Sequence, residues 1–163
     1  MHNGLSTFHE NNNTIMSDKL NHECGIAFLR LKKPLEYYKE KYGSAFYGIQ
    51  KMYLLMEKQH NRGQDGAGFA SIKFDMEAGE RYISRIRSND AQPIQDIFAQ
   101  INGRINEEMQ SHPEYAENVA LQKKNIPTSA NCFLDMCVTE RLARTALKAF
   151  TRFCARIIGC TGI

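Results

Sequence analysis

The pattern of apolar and polar positions predicts a mixed α and β domain over residues 24–127. Continuous apolar runs and strict alternation are typical of strands, whereas apolar residues spaced three and four apart are typical of helices with one buried face. These patterns predict strands over residues 24–31, 69–73 and 81–87 and helices over residues 44–60, 94–105 and 114–124. The last two strands are joined through Met76 to Glu80, so we expect a hairpin there. The fold class we expect is α+β.

Two terminal segments differ from this body in composition. Residues 1–23 are rich in asparagine and show no apolar periodicity, which predicts a disordered leader or propeptide. Residues 1–127 hold sixteen basic and sixteen acidic residues, whereas residues 128–163 hold five basic and two acidic ones and so supply the net charge of +3. Four of the five cysteines also lie in residues 128–163. This last segment therefore has a different character from the body.

No apolar run approaches the roughly 18 to 20 residues that a membrane-spanning helix needs. The first twenty residues are polar and are not built like a secretory signal. We therefore expect a cytoplasmic protein with one globular domain and no membrane partner.

Two short motifs in the body carry the candidate chemistry. The first is Cys-Gly-Ile-Ala, which begins at Cys24 directly after Glu23, and the second is Arg-Gly-Gln-Asp-Gly-Ala-Gly over residues 62–68. Together they resemble the class II glutamine amidotransferases, and the Arg-Gly-Gln-Asp form is most similar to the amidophosphoribosyltransferase branch. The resemblance covers roughly residues 20–127, and the two motifs together are fairly specific.

This resemblance implies the four-layer αββα sandwich of the N-terminal-nucleophile hydrolases, of which residues 24–127 would encode only a part. It also implies an enzyme that releases ammonia from glutamine for transfer to phosphoribosyl pyrophosphate in de novo purine biosynthesis, usually as a homo-oligomer. We find no counterpart here of the family's phosphoribosyltransferase domain, which uses Mg²⁺, of its glutamine-binding arginine or of its oxyanion-hole residues. We therefore expect a fragment with no cofactor of its own and no detectable glutaminase activity.

Cys24 is the expected nucleophile, and the chemistry explains why it should be a terminal residue. An N-terminal α-amine has a pKa of about 7.7 to 8.0 and can act as the base for the thiol of the same residue. The resulting thiolate would attack the side-chain amide of glutamine. An internal cysteine has no such amine beside it, so this mechanism requires cleavage after Glu23. A lone cysteine before a strand is otherwise most often a small buried apolar residue.

The resemblance places Arg62 beside the nucleophile, where it would help to shape the glutamine pocket. An equally good reading is a cation at the end of the helix over residues 44–60, where the helix dipole favours positive charge. Four glycines are expected to satisfy the backbone demands of structural turns, rather than to bind substrate: Gly25, Gly63, Gly66 and Gly68. Because His22 and His60 have no matched ligands at metal spacing, we predict no metal site.

Residues 128–163 are interpreted as an out-of-frame tail. The family should next show a Gly-His-Val-Arg-Tyr-Gly-Thr motif, which the chain lacks. Codons can be chosen for residues 134–141 so that a second reading frame encodes this missing motif. That frame begins at the last base of the Leu134 codon. The same shifted frame can give Tyr-Ile-Gly-Glu-Leu-Phe-Leu from Thr128, which would form a buried strand. We therefore hypothesise a one-base deletion near the Pro127 codon.

Two other functions stay open at this point. The basic and cysteine-bearing tail could bind nucleic acid or a metal in a non-enzymatic protein, although its cysteine spacings of five, seventeen and six match no standard zinc pattern. The frame-shift interpretation makes such binding incidental, so we expect no nucleic-acid partner. Another class II amidotransferase, which would supply ammonia to a different acceptor, is the alternative within the enzymes.

Overall fold

The structure is a computed structural model, which describes residues 24–59 and 65–138. In these ranges the strands are β1 (Gly25–Arg30), β2 (Gly66–Ile72), β3 (Ile83–Ser88) and β4 (Cys132–Val138). The helices are α1 (Leu35–Tyr42), α2 (Tyr47–Gln59), α3 (Pro93–Ser111) and α4 (Val119–Asn125), with a single 3₁₀ turn at Pro113–Ala116. The strands form one antiparallel sheet in the order β1-β4-β2-β3.

One face of the sheet is covered by α2 and α3. Helix α2 lies over β1 and β4, and α3 lies over β2 and β3. Because side chains alternate between the two faces of a strand, every second residue points towards these helices. The strand side of the core includes Ala27, Phe69, Ile86 and Phe133, and the helix side includes Ile49, Met52, Met56, Ile94, Ile97 and Ile101. This burial of apolar surface is what fixes the helices against the sheet.

Strand β4 is the central element of the sheet and lies between β1 and β2. All seven of its residues are buried, as are all seven residues of β2, whereas the outer strands β1 and β3 alternate between buried and exposed positions. The folded unit therefore extends past Pro127, the end that the sequence analysis gives to the domain. The frame-shift origin of residues 128–163 stays a prediction, because it is a statement about the gene.

The structure confirms most of the predicted elements and the α+β class. Strand β1 and helices α2 and α3 lie where the pattern predicts them, and β2 pairs with β3 as the expected hairpin. The helix predicted over residues 114–124 is wrong in part, because the 3₁₀ turn and α4 replace it. Asn118 separates them, and its side chain accepts a hydrogen bond from the backbone N–H of Leu121 at 3.1 Å, as an N-cap does.

Helix α1 has no counterpart among the predicted elements. Its sequence carries little amphipathic signal, since Leu35 is its single buried residue. Its end is defined by Gly43, which adopts a left-handed conformation (φ 75°) and donates its N–H to the carbonyl of Lys39. Tertiary contacts stabilise it further, because Tyr38 stacks on Tyr47 at the start of α2 with ring centroids 5.2 Å apart.

No helix within residues 24–59 and 65–138 is both long enough and apolar enough to span a membrane. The same ranges contain a single four-stranded sheet. The coarse description as an α+β fold with one antiparallel sheet is therefore what the structure establishes.

Candidate active site at the start of strand β1

Cys24 lies directly before the first residue of β1. Its side chain is exposed and its thiol is free. Strand β1 holds the backbone of the next residues in place through its ladder with β4, in which Gly25 is opposite Cys137 and Ala27 is opposite Asp135. The expected nucleophile is therefore an accessible thiol at the end of a fixed strand. The predicted cleavage after Glu23 concerns residues outside the described part of the chain.

Gln59, the last residue of α2, fixes the beginning of β1. Its side-chain Nε2 donates a hydrogen bond to the carbonyl oxygen of Ile26 at 2.9 Å. A Cβ atom on Gly25 would lie 2.6 Å from Gln59 Oε1 and 2.9 Å from Gln59 Cβ, so any larger residue at Gly25 would displace this contact. The Oε1 atom is buried and has no hydrogen-bond partner among the described residues. Gln59 thus contacts the residue next to Cys24 and offers a free acceptor there.

A second cysteine, Cys137, is buried on β4 opposite Gly25. Burial, followed by the charges of Asp135 and Glu57, raises the pKa of the Cys137 thiol to about 12, and Cys24 adds a smaller increase in the same direction. The Sγ atom of Cys137 lies 3.9 Å from Asp135 Oδ2. A thiol with this pKa is protonated at neutral pH, so Cys137 is inert as a nucleophile, in contrast to an exposed thiol.

Asp135 is a fully buried carboxyl group in the middle of the sheet. Its Oδ1 atom accepts a hydrogen bond from the backbone N–H of Ala27 at 2.6 Å. Burial raises the pKa of Asp135 to about 7, and the hydrogen bonds from the backbone N–H groups of Ala27 and Asp135 itself offset part of that rise. This pKa is in the range of a general acid or base. Because Ala27 and Cys137 occupy its two oxygen atoms, Asp135 is placed to hold β1 on β4.

The glycines that the sequence analysis assigns to turns lie in strands where the structure describes them. Gly25 is in β1, and Gly66 and Gly68 are in β2, so the turn assignment is wrong for these three. At Gly66 the reason for glycine is close packing, since a Cβ atom would lie 2.8 Å from Asn89 Oδ1 and 3.2 Å from Val138 Cγ2. The other two predicted residues of this motif, Arg62 and Gly63, lie outside the described residues.

The described residues hold no group of three or more His, Cys, Asp and Glu side chains that could bind a metal ion. Cys132 and Cys137, the two tail cysteines that the structure describes, are both buried. Cys137 follows Cys132 by five positions on one strand, so the two side chains point to opposite faces of the sheet. The two residues are about 17 Å apart along the strand and cannot be ligands of one ion. His22 and His60, together with Cys154 and Cys160, lie outside the described residues.

Sequence reasoning predicted Cys24 as the nucleophile, which stays a prediction, but it named none of the residues that the structure places around it. Gln59 carries no local signal, because its role depends on the end of α2 meeting the start of β1. For Asp135, one signal was available: an acidic residue within an apolar strand is expected to have a hydrogen-bond partner. Comparison with known proteins adds nothing to this set. No protein-family model, curated protein or solved structure matches the chain.

Proposed function

We propose that this chain carries the nucleophile-bearing part of a glutaminase domain, of the class II glutamine amidotransferase kind and most similar to its amidophosphoribosyltransferase branch. The observation that carries the proposal is the free and exposed thiol of Cys24 directly before β1. It is supported by the second motif, since Gly66 to Gly68 begin β2, which lies in the same sheet with β4 alone between it and β1.

The chemistry proposed for Cys24 follows from its position. Once cleavage has freed the α-amine, that amine takes the proton of the thiol, and the sulfur attacks the side-chain carbonyl carbon of glutamine. The C–N bond breaks, ammonia leaves with a proton from the amine, and a glutamyl thioester remains on Cys24. Water then hydrolyses the C–S bond, which gives glutamate and the free thiol. In the complete enzyme the ammonia would pass to phosphoribosyl pyrophosphate.

The sheet of the described residues would be one layer of the four-layer αββα sandwich, with α2 and α3 as the helical layer outside it. Its second face is the one that would meet the other sheet. On this second face Ile26 and Phe28 of β1 are about half exposed, whereas the residues of β2 and β4 are buried on both faces, so the exposed apolar part that the other sheet would cover lies at β1. The intact enzyme would be a cytoplasmic homo-oligomer, and its Mg²⁺ would belong to the phosphoribosyltransferase domain.

Sequencing the gene tests the frame-shift part of the proposal. We expect the frame that begins at the last base of the Leu134 codon to encode Gly-His-Val-Arg-Tyr-Gly-Thr and to continue without a stop codon. A neighbouring frame with no trace of this motif would show that residues 128–163 are native sequence. Both frames can encode a strand here, because the present sequence forms the apolar strand Cys132–Val138. The strand therefore does not distinguish the two frames, and the gene sequence is needed.

Restoring the frame by one base near the Pro127 codon tests the activity. The restored protein should hydrolyse glutamine, and Cys24→Ala should lower that rate at least about a thousand-fold, because the covalent intermediate is lost. The control proteins keep the present frame. Neither the unchanged chain nor its Cys137→Ala variant should hydrolyse glutamine. Glutamine hydrolysis by the printed chain that depends on Cys24 would contradict the expected inactivity, and a restored protein with no Cys24-dependent hydrolysis would contradict the proposed function.

A further inference from the structure

A cavity of about 550 Å³ lies at the Arg30 end of β1, away from the Cys24 end. Its walls come from the end of β1 and the start of α1, from the connection between β2 and β3, and from α4. A volume of this size is within the range of small-molecule sites, which is roughly 300 to 1,000 Å³. None of the residues that line it belongs to the candidate site around Cys24, so the cavity requires a separate explanation.

Positive charge predominates in this cavity. Four cationic side chains line it, those of Arg30, Lys32, Lys33 and Lys123, against two carboxylates, those of Glu36 and Asp75. No ion pair within 4 Å joins any of these six groups to another described residue. The described lining, with four cations against two carboxylates, therefore has a formal charge of +2, which favours a ligand with two negative charges.

One contact orients a cation of the lining, and a second orders a lysine next to the lining. The guanidinium of Arg30 lies over the ring of Phe74, with its Cζ atom 5.2 Å from the ring centroid, and this cation–π contact orients it at the cavity wall. Lys73 lies beside Lys123 and is itself buried, with its Nζ donating to the carbonyl oxygen of Lys124 at 3.0 Å. Arg30, Lys32 and Lys33 are exposed and Lys123 is partly buried, so the basic groups lie at the open side of the cavity, where the contact with Phe74 orients Arg30.

Lys73, which lies next to the lining, has a lowered pKa. Burial is the main cause that lowers the pKa of Lys73 to about 8. Glu80 raises it, and Arg81 and Lys123 lower it further through repulsion. The lowered pKa of Lys73 is therefore mainly an effect of burial, to which repulsion from Lys123 at the cavity wall adds a smaller part.

We propose that this cavity binds the phosphate group of a small phosphate monoester. A phosphate monoester carries about two negative charges at neutral pH, which matches the excess charge of the lining, and it offers three acceptor oxygens to the lysine and arginine donors. The volume exceeds that of a phosphate ion alone, so the remaining space accommodates the polar body of a metabolite. This inference is independent of the function proposed for Cys24.

Isothermal titration calorimetry on the full chain at low ionic strength tests the proposal with glucose 6-phosphate, inorganic phosphate and glucose as probes. We expect glucose 6-phosphate to bind more tightly than inorganic phosphate, glucose not to bind, and added salt to weaken binding. Lys33→Gln and Lys123→Gln should each weaken binding about three- to tenfold. Lys58→Gln, at an exposed site on α2 outside the cavity, is the matched control and should leave the affinity unchanged.

The sign of the charge effect gives a second test. Glu36→Gln removes a carboxylate from the lining and should strengthen binding of glucose 6-phosphate about two- to fivefold. Circular dichroism of each variant must show the fold of the unchanged chain, so that lost binding reports on the cavity. If glucose 6-phosphate gives no heat of binding, or if Lys33→Gln and Lys123→Gln bind it as tightly as Lys58→Gln does, the proposal is wrong.

Discussion

Replacing Phe133 with alanine should lower the free energy of unfolding by about 3 to 5 kcal/mol. Phe133 is 1% exposed and lies at the centre of the sheet, with its ring centroid 6.0 Å from that of Phe69. On the other side its ring occupies the space in which a Cβ atom on Gly48 of α2 would lie. The substitution leaves a cavity between sheet and helix that neither element can fill without moving. Urea denaturation followed by circular dichroism measures the loss.

Phe28 provides the matched control for this experiment. It lies on the neighbouring strand opposite Leu134 and is 51% exposed, so Phe28→Ala should cost less than about 1 kcal/mol. Equal effects of the two substitutions would contradict the central position of β4. Because Phe133 belongs to the segment that we interpret as out of frame, a large effect would also show that this segment stabilises the fold, whatever its genetic origin.

Replacing Asp135 with asparagine should remove much of the pH dependence of stability between about pH 4 and pH 7. Burial raises the pKa of Asp135 from 3.8 to about 7 in the folded chain. The unfolded chain therefore loses this proton at lower pH than the folded chain does. The neutral Asp135 carboxyl makes a contribution to the free energy of unfolding that is fully present below about pH 4. This contribution is lost as the pH rises through about 7, and the total loss is up to about 4 kcal/mol.

Asparagine stays neutral over this range and keeps an Oδ1 acceptor for the N–H of Ala27. Asp135→Asn should therefore be more stable than the unchanged chain at about pH 8, and the difference should shrink towards zero near about pH 4. Denaturation curves at several pH values measure it, and they remain well below the pKa of about 12 at Cys137. Glu40→Gln, which removes an exposed carboxylate from α1, should give a curve parallel to that of the unchanged chain. A parallel curve for Asp135→Asn would contradict the raised pKa.

The periodic parts of the fold could be predicted because their apolar patterns are local. The spacing of Ile94, Ile97 and Ile101 gives α3 its buried face, and the alternation of residues 81–87 gives β3 its buried face. The apolar pattern does not predict the elements that tertiary contacts or capping interactions define. Helix α1 carries a single buried residue, and the single helix predicted over residues 114–124 is interrupted because Asn118 caps α4 instead of continuing a longer helix.

The candidate site also combines a residue that a local motif reveals with contacts that only the fold brings together. Cys24 is recognisable because the motif around it is contiguous in sequence, so no knowledge of the fold is required to name it as a nucleophile. The contact between Gln59 and Gly25 joins residues 34 positions apart, and the hydrogen bond from Ala27 to Asp135 joins residues 108 positions apart. Such pairs depend on the order and register of the strands, which no local pattern specifies.

The sequence by itself determined the α+β class, the hairpin and the two long helices, and it is the source of the prediction that Cys24 is a nucleophile. Only the tertiary structure decided that Cys132–Val138 forms the central strand, that burial on this strand raises the pKa of Asp135 and Cys137, and that cations from β1, α4 and the loop before α1 line one cavity. The physical reason is that periodicity reports which residues prefer burial, whereas strand order, desolvation and shared cavities arise only when segments distant in sequence are packed together.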